Sequence, residues 1–203
     1  MRVHMDNSYC NKVKIISALS RLTVDASLRE VKVNAICEEA GISRQTFYRC
    51  FEDKYAAAYW FLEEGVWTSI RQIGISVGWE TGLRRAFGFI SRNREFIKRL
   101  YNFNELGCKE ESALARDLSE ACGRHFEDQY EACTGNTPDQ LISFQSRGFA
   151  LLLVSMINKW VLDGEPELDD MFFESMLTLV PRELYHALDI PDMSLKQELY
   201  PFF

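Results

Sequence analysis

The segment from Val31 to Lys54 constrains this chain more than any other stretch. It reads as two short helices joined by a tight turn. Val33, Ile36, Cys37 and Ala40 recur at helical spacing on one face, which predicts a helix from Val33 to Ala40. Gly41 follows the last periodic residue, where a left-handed C-cap would strain any residue with a Cβ. Ile42 is placed to plug the angle between the helices. Ser43 is a good N-cap, because its hydroxyl can accept from a free backbone N–H of the next helix. Phe47 and Phe51 are four apart, so they share a face and can pack on Ile36 and Ala40. These features make a helix-turn-helix. The competing reading is an ordinary helical hairpin with a solvated polar face. Turn glycine, serine cap, paired aromatics and clustered outward donors all agree, and that consistency favours the helix-turn-helix.

Arg44, Gln45, Thr46, Tyr48 and Arg49 are left outside the packed face. Their chemistry suits a DNA major groove. Arg binds guanine bidentately, Gln binds adenine bidentately, and Thr offers a methyl for thymine and a hydroxyl. Tyr48 can reach a phosphate or lie against a thymine methyl. Residues at the start of such a helix reach base edges while its flanks hold the backbone. Lys54 opens the next helix, where an ammonium beside free N–H groups reads as a phosphate clamp.

The run Ile36-Cys-Glu-Glu-Ala-Gly-Ile-Ser-Arg-Gln-Thr-Phe-Tyr-Arg49, with the ending Phe51-x-Asp-Lys54, resembles the N-terminal headpiece of the TetR family of bacterial regulators. The resemblance implies an all-α homodimer. Three N-terminal helices would bind DNA, and a larger helical body would dimerise and bind a small effector. Matched by position, the DNA-contacting set is Asn34, Ser43, Arg44, Gln45, Thr46, Tyr48, Arg49 and Lys54. Three positions depart from the family pattern. Lys32 stands where a Ser or Thr usually caps helix two, Cys50 stands where His is frequent, and Glu52 replaces a lysine or polar residue near phosphate. The expectation is ordinary headpiece geometry with weaker non-specific affinity.

The overall charge of −7 argues against nucleic acid only until the chain is divided. Residues 1–54 hold nine Lys and Arg against seven Asp and Glu, a net +2, while residues 55–203 hold 14 against 23, a net −9. DNA binding is therefore expected to be local to a domain at 1–54, with the acidic domain at 55–203 held away from phosphate. No apolar run reaches the ~20 residues of a membrane span, and no signal peptide is visible. No membrane partner is expected, and the location expected is the cytoplasm.

No catalytic or metal chemistry stands out. His4, His125 and His186 are scattered, and no phosphate-loop, dinucleotide or nucleophile-elbow motif occurs. Six cysteines occur without a C-x-x-C pair, so the thiols are expected to be reduced and mostly buried. Cys50, close to Arg49, is the one thiol whose neighbour could make it oxidisable, against the favoured reading of an inert space-filler. Cys122 and His125 are half of a metal site with no second half. No enzyme activity, metal or cofactor is expected.

In the rest of the chain, periodicity predicts helices at Ser8–Val24 and Tyr55–Ser76, then at Glu80–Ser91 and Arg94–Phe103 around Asn93. Another runs from Glu110 to Cys133 and ends at Thr134-Gly-Asn-Thr-Pro138. Pro138 is expected in the first turn of a helix reaching Leu162, and a last helix, Leu168–Leu188, is expected to break near Pro181. Phe149, Leu152, Leu153, Met156 and Trp160 form a stripe on one of these helices, and Phe172, Met176, Leu179 and Val180 form one on the other. Paired with a second copy they would make a four-helix interface, with Gly148 allowing close approach. Aromatic residues of the body, Trp60, Trp67, Phe87, Phe103, Phe126, Tyr130, Phe144 and Phe149, are expected to enclose an apolar or aromatic effector or to fill the core.

Overall fold

The computed structural model describes residues 7–101, 109–164 and 166–191. Regular structure among them is helical, apart from one isolated bridge between Ile73 and Val77. The contacts divide the chain into two compact units. One comprises the chain up to Gly65 together with the segment that begins at Arg92, and the other comprises Val66–Ser91 and the chain from Lys109.

In the first unit, helix α1 (Asn7–Leu22) packs on α2 (Val33–Ala40), α3 (Arg44–Cys50) and α4 (Lys54–Leu62). Its buried side chains are Ile15, Ile16, Ala18 and Leu19. Ile36 and Cys37 from α2, Phe47 and Phe51 from the region of α3, and Ala57, Ala58 and Phe61 from α4 complete this core. The turn forms as the sequence predicts. Gly41 is left-handed, with φ 64° and ψ 38°. Asp53 caps α4 by accepting from Ala56 N at 2.7 Å. The helix expected from Tyr55 to Ser76 is broken instead. α4 gives way to a π turn over Glu63–Trp67, then to a short α5 (Thr68–Arg71). Gly65, the weakest helix former of this stretch, lies inside the wide turn. Beyond Arg71 the chain doubles back, with Ser76 N and Val77 N both donating to the Gln72 carbonyl.

The two helices expected around Asn93 are one, α6 (Trp79–Tyr101). Leu83, Ala86, Phe87, Ile90, Ile97 and Leu100 keep helical periodicity across Asn93. A packed stripe outweighs the weak propensity of one residue. In the second unit, α7 (Lys109–Thr134) and α8 (Gln140–Asp163) form a hairpin, and α10 (Arg182–Leu188) packs on both. Gly123 sets their approach: a Cβ there would meet Arg147 Cα at 3.1 Å, whereas one at Gly148 would meet nothing within 4 Å. Pro138 precedes the helix instead of starting it, because Asp139 takes the cap and accepts from Ile142 N at 2.8 Å. The break at Pro181 is real and separates α9 (Asp170–Thr178) from α10.

Trp79, at the start of α6, is the centre of this unit. It is fully buried, its ring lies 5.1 Å from Phe126 and 5.6 Å from Phe149, and its indole N–H donates to the Leu184 carbonyl at 3.3 Å. α8 is long and apolar enough to cross a membrane by length and composition, although no single unbroken apolar run in it is; a third of its most apolar stretch is buried within the protein. Its outer face stays open. Leu141, Phe144 and Leu151 are 58%, 75% and 56% exposed.

Candidate nucleic-acid interface

α3 is a short helix held on three sides. Ser43 Oγ accepts from Thr46 N at 3.1 Å and lies 3.0 Å from Thr46 Oγ1. Phe47 is fully buried, with its ring 6.4 Å from Phe51 and edge-on to Tyr48 at 5.4 Å. This anchoring leaves Arg44, Gln45, Tyr48 and Arg49 exposed, with Thr46 half-exposed. The Arg44 guanidinium rests 5.9 Å from the Tyr48 ring, a contact that pre-orders both side chains before they meet a partner. Asn34 is exposed in the first turn of α2. The helix thus offers guanidinium, amide and phenol groups from one rigid surface, which is the chemistry of major-groove readout.

Two members of the sequence-derived set have other engagements. Ser43 uses its hydroxyl as the cap of α3. Lys54 is half-buried, and its ammonium donates to the carbonyls of Arg29 and Val31 at 2.6 and 2.7 Å, so it is not presented as a phosphate clamp. Burial lowers its pKa from the usual lysine value, against the opposing pull of Asp53. Lys32 sits at the N-cap of α2 without a side-chain bond, as its chemistry dictates.

Sequence reasoning passed over the loop before α2. Glu30 Oε2 accepts from Ser27 N at 2.9 Å and from Ser27 Oγ at 2.8 Å, and these bonds hold the Glu30 carboxyl below its ordinary pKa. The signal was present as the Ser-x-x-Glu spacing. Leu28 and Val31 bury themselves on either side of this turn.

The aromatic residues expected around an effector divide between the units. Trp60 belongs with the headpiece, 5.8 Å from Tyr9 and 5.7 Å from Phe51, with Lys12 Nζ 5.1 Å from its ring. Its place on α4 puts it in the first unit, so it does not line the body. Phe103 lies outside the described residues. Phe126 and Phe149 stack around Trp79, and Phe87 packs 5.1 Å from Phe172 and 6.3 Å from Trp160. Trp67 meets His125 edge-on at 5.9 Å, and Tyr130 is half-buried. Phe144 points outward. Most of these rings therefore touch one another. Three polar atoms of this unit, His125 Nε2, Gln145 Oε1 and Ser146 Oγ, are buried without a hydrogen-bond partner.

The stripes expected at a dimer interface are also redistributed. Phe149, Leu153, Trp160, Phe172, Met176 and Val180 are buried in their own unit and are not offered to a second copy. Met156 is half-buried; Leu152 and Leu179 are 40% and 44% exposed. An outer stripe of α8 follows Leu141, Phe144, Gly148, Leu151, Ser155, Asn158 and Leu162 in alternating steps of three and four, all exposed except the half-buried Asn158. Met171 on α9 is 71% exposed. An open depression of about 530 Å³ lies along the start of α8, lined by Pro138, Ser143, Phe144, Arg147, Gly148 and Leu151 among others.

Among the described residues, no group of three or more His, Cys, Asp or Glu is arranged to hold a metal ion. Burial raises the Cys122 thiol well above its usual range, which suits space-filling and not ligation. His125 is shifted the other way. Burial lowers its pKa from 6.5, the Arg71 charge adds to this, and Asp128 and a backbone bond at Ile70 oppose it. The unfolded chain thus takes up this proton near pH 6.5 while the folded chain resists it. His125 leaves stability intact above that pH and lowers it as the pH falls through about 6.5, levelling below the folded pKa. Replacing His125 with Gln should flatten the dependence of Tm on pH below about 6.5. An unaltered profile would remove His125 as its source.

Residues 15–58 match the family model described as "Bacterial regulatory proteins, tetR family". No curated protein matches the chain. Among solved structures, the TetR family repressor AlkX from Dietzia sp. strain DQ12-45-1b, implicated in biodegradation of n-alkanes, is 17% identical with a TM-score of 0.56, covering 89% of this chain and 99% of its own. A tetR-family transcriptional regulator from Streptomyces coelicolor is 16% identical with a TM-score of 0.48, covering 83% of this chain and 78% of its own. The AlkX likeness extends the shared helical fold beyond the headpiece.

Proposed function

We infer that this chain, a TetR-family transcriptional regulator with a DNA-binding helix-turn-helix, acts as a homodimeric repressor in the cytoplasm. The carrying observation is α3, whose buried Phe47 and capped start hold Arg44, Gln45, Tyr48 and Arg49 outward on one surface. Each headpiece places α3 in a major groove of an inverted-repeat operator. Two-fold symmetry puts the half-sites about one helical turn apart or somewhat more. DNA reading falls to residues 1–54, and dimerisation and effector binding fall to the part of residues 55–203 that forms the second unit, Val66–Ser91 and the chain from Lys109. The solved neighbour AlkX is described as a repressor, which favours repression as the sign of control. Nothing in the reading calls for a cofactor or for catalysis.

The dimer rests on the outer face of α8 and α9. Its alternating steps of three and four match the seam of packed helices, and so large an exposed apolar face on one helix marks an interaction surface. The effector reading rests on the buried polar atoms without partners, since each such group carries a cost that a ligand can remove. The effector this reading calls for is apolar or aromatic and carries its own hydrogen-bonding group. It would act by binding one dimer conformation more tightly than another, through the connecting segment Lys54–Arg71. The packing of Trp79, Phe126 and Phe149 on one another, and of Phe87 on Trp160 and Phe172, favours a second reading, in which the body takes no small ligand and serves as a dimerisation and protein-docking module. A thermal-shift screen against metabolites separates the two: a saturable rise in Tm selects the effector.

DNase footprinting on the DNA flanking its own gene, with Tyr48→Ala as control, tests the function. A protected inverted repeat that the variant loses is the expected outcome; protection unaffected by the substitution would remove α3 from the reading. On that operator, Arg44→Ala should cost about 1–3 kcal/mol and relax specificity at one base pair. Weakening that is uniform across sequences would assign Arg44 to phosphate.

A further inference from the structure

Lys54 opens α4, yet its ammonium is spent on the loop between α1 and α2, at the carbonyls of Arg29 and Val31. That loop is organised by the Ser27–Glu30 bonds and by the burial of Leu28 and Val31. Lys32, at the N-cap of α2, has the extended backbone usual at that position but makes no side-chain capping hydrogen bond. The last carbonyls before α2 are thus held from outside, by a positive charge between two dipoles. Two of the three ammonium donors are committed in this way, and the same group lies 5.3 Å from the Tyr55 ring.

We propose that Lys54 is a positioning residue for DNA recognition, which fixes the start of α2 and through it the presentation of α3, in place of a contact to phosphate. α2 and α3 are joined by only Gly41, Ile42 and Ser43 and pack against each other, so a shift at residues 29–31 reaches the reading helix. The bond also ties the first residue of α4 to the start of α2. A movement of α4 is then passed directly to the pair of helices that reads DNA. This inference rests on the DNA-binding reading, and its test separates the two.

The full-length protein, Lys54→Met and Lys54→Arg are compared in three measurements. The first is the salt dependence of binding to a mixed-sequence duplex. The second is the preference for a sequence selected from a random library over that duplex. The third is amide hydrogen exchange in the free protein. For Lys54→Met the salt slope should be unchanged, the preference should fall at least about tenfold, and exchange should quicken at Val31 and Ile36, whose N–H groups bond to Ser27 and Lys32 carbonyls. Lys54→Arg should recover the preference, because a guanidinium can still donate to both carbonyls. A slope lowered by about 1 in Lys54→Met, or exchange unchanged at Val31 and Ile36, would overturn the proposal. Wild-type protein that bound neither duplex would instead count against DNA binding, and the exchange measurement would still judge Lys54.

Discussion

Replacing Phe144 and Leu151 together by glutamate is expected to leave a folded monomer that no longer protects an operator with two half-sites. Both side chains are mostly exposed in the isolated chain, so the substitution removes no packing within it. In a dimer built on the outer face of α8, each copy would bury both. Burying a Phe or Leu contributes about 1.5–3 kcal/mol, and symmetry doubles every change. Four lost side chains amount to roughly 6–12 kcal/mol before any cost of burying the new carboxylates, which is at least about 10⁴-fold in dimer affinity. Sedimentation equilibrium at micromolar concentration, with far-UV circular dichroism to confirm folding, measures this directly. A dimer that persists in the double variant would show that the partner surface lies elsewhere.

The second large effect is expected at Phe47. Its side chain is fully buried between α1, α2 and α3, and Phe→Ala changes in such cores cost about 3–5 kcal/mol. The compact unit that holds Phe47 has about 80 residues and roughly 4–12 kcal/mol of stability in all. Phe47→Ala should therefore unfold most or all of the headpiece and abolish footprinting, although no DNA-facing group has changed. Thermal melting followed by circular dichroism should show the headpiece contribution lost. A variant with an unshifted melt that still failed to bind would mean that Phe47 contacts DNA itself, contrary to its burial. Together with Arg44→Ala, this separates residues that shape α3 from those that read with it.

The headpiece was legible because its signals are local. A left-handed glycine, a serine three residues before the N–H it caps and two phenylalanines four apart act within one or two turns of helix. Lys32 as a missing cap was legible for the same reason. Lys54 was not: its partners lie 23 and 25 residues away and are carbonyls, which every residue has. The π turn at Glu63–Trp67 and the unbroken α6 show the same limit from the other side. In α6, packing along the whole helix overrode the break that Asn93 suggested, while at Glu63–Trp67 the expected helix gave way at Gly65.

α8 shows where periodicity fails outright. It is apolar on both faces, so the stripe through Phe149, Leu153 and Trp160 and the seam through Phe144 and Leu151 are equally helical in their spacing. Only the placement of α7, α6 and α10 decides that the first faces the core and the second is open. The aromatic residues of the body pose the same problem, because a ring in a core and a ring lining a cavity carry identical sequence signals. By itself, then, the sequence determined the all-α class, the helix-turn-helix, the outward set on α3 and the family resemblance, since these depend on capping, turn chemistry and spacing within a few turns. The tertiary structure decided which apolar face of α8 is exposed, that Trp60 serves the headpiece, and that Lys54 holds a loop. Each of those depends on which distant segments come to lie together, and burial is a property of the packed assembly and not of any one residue.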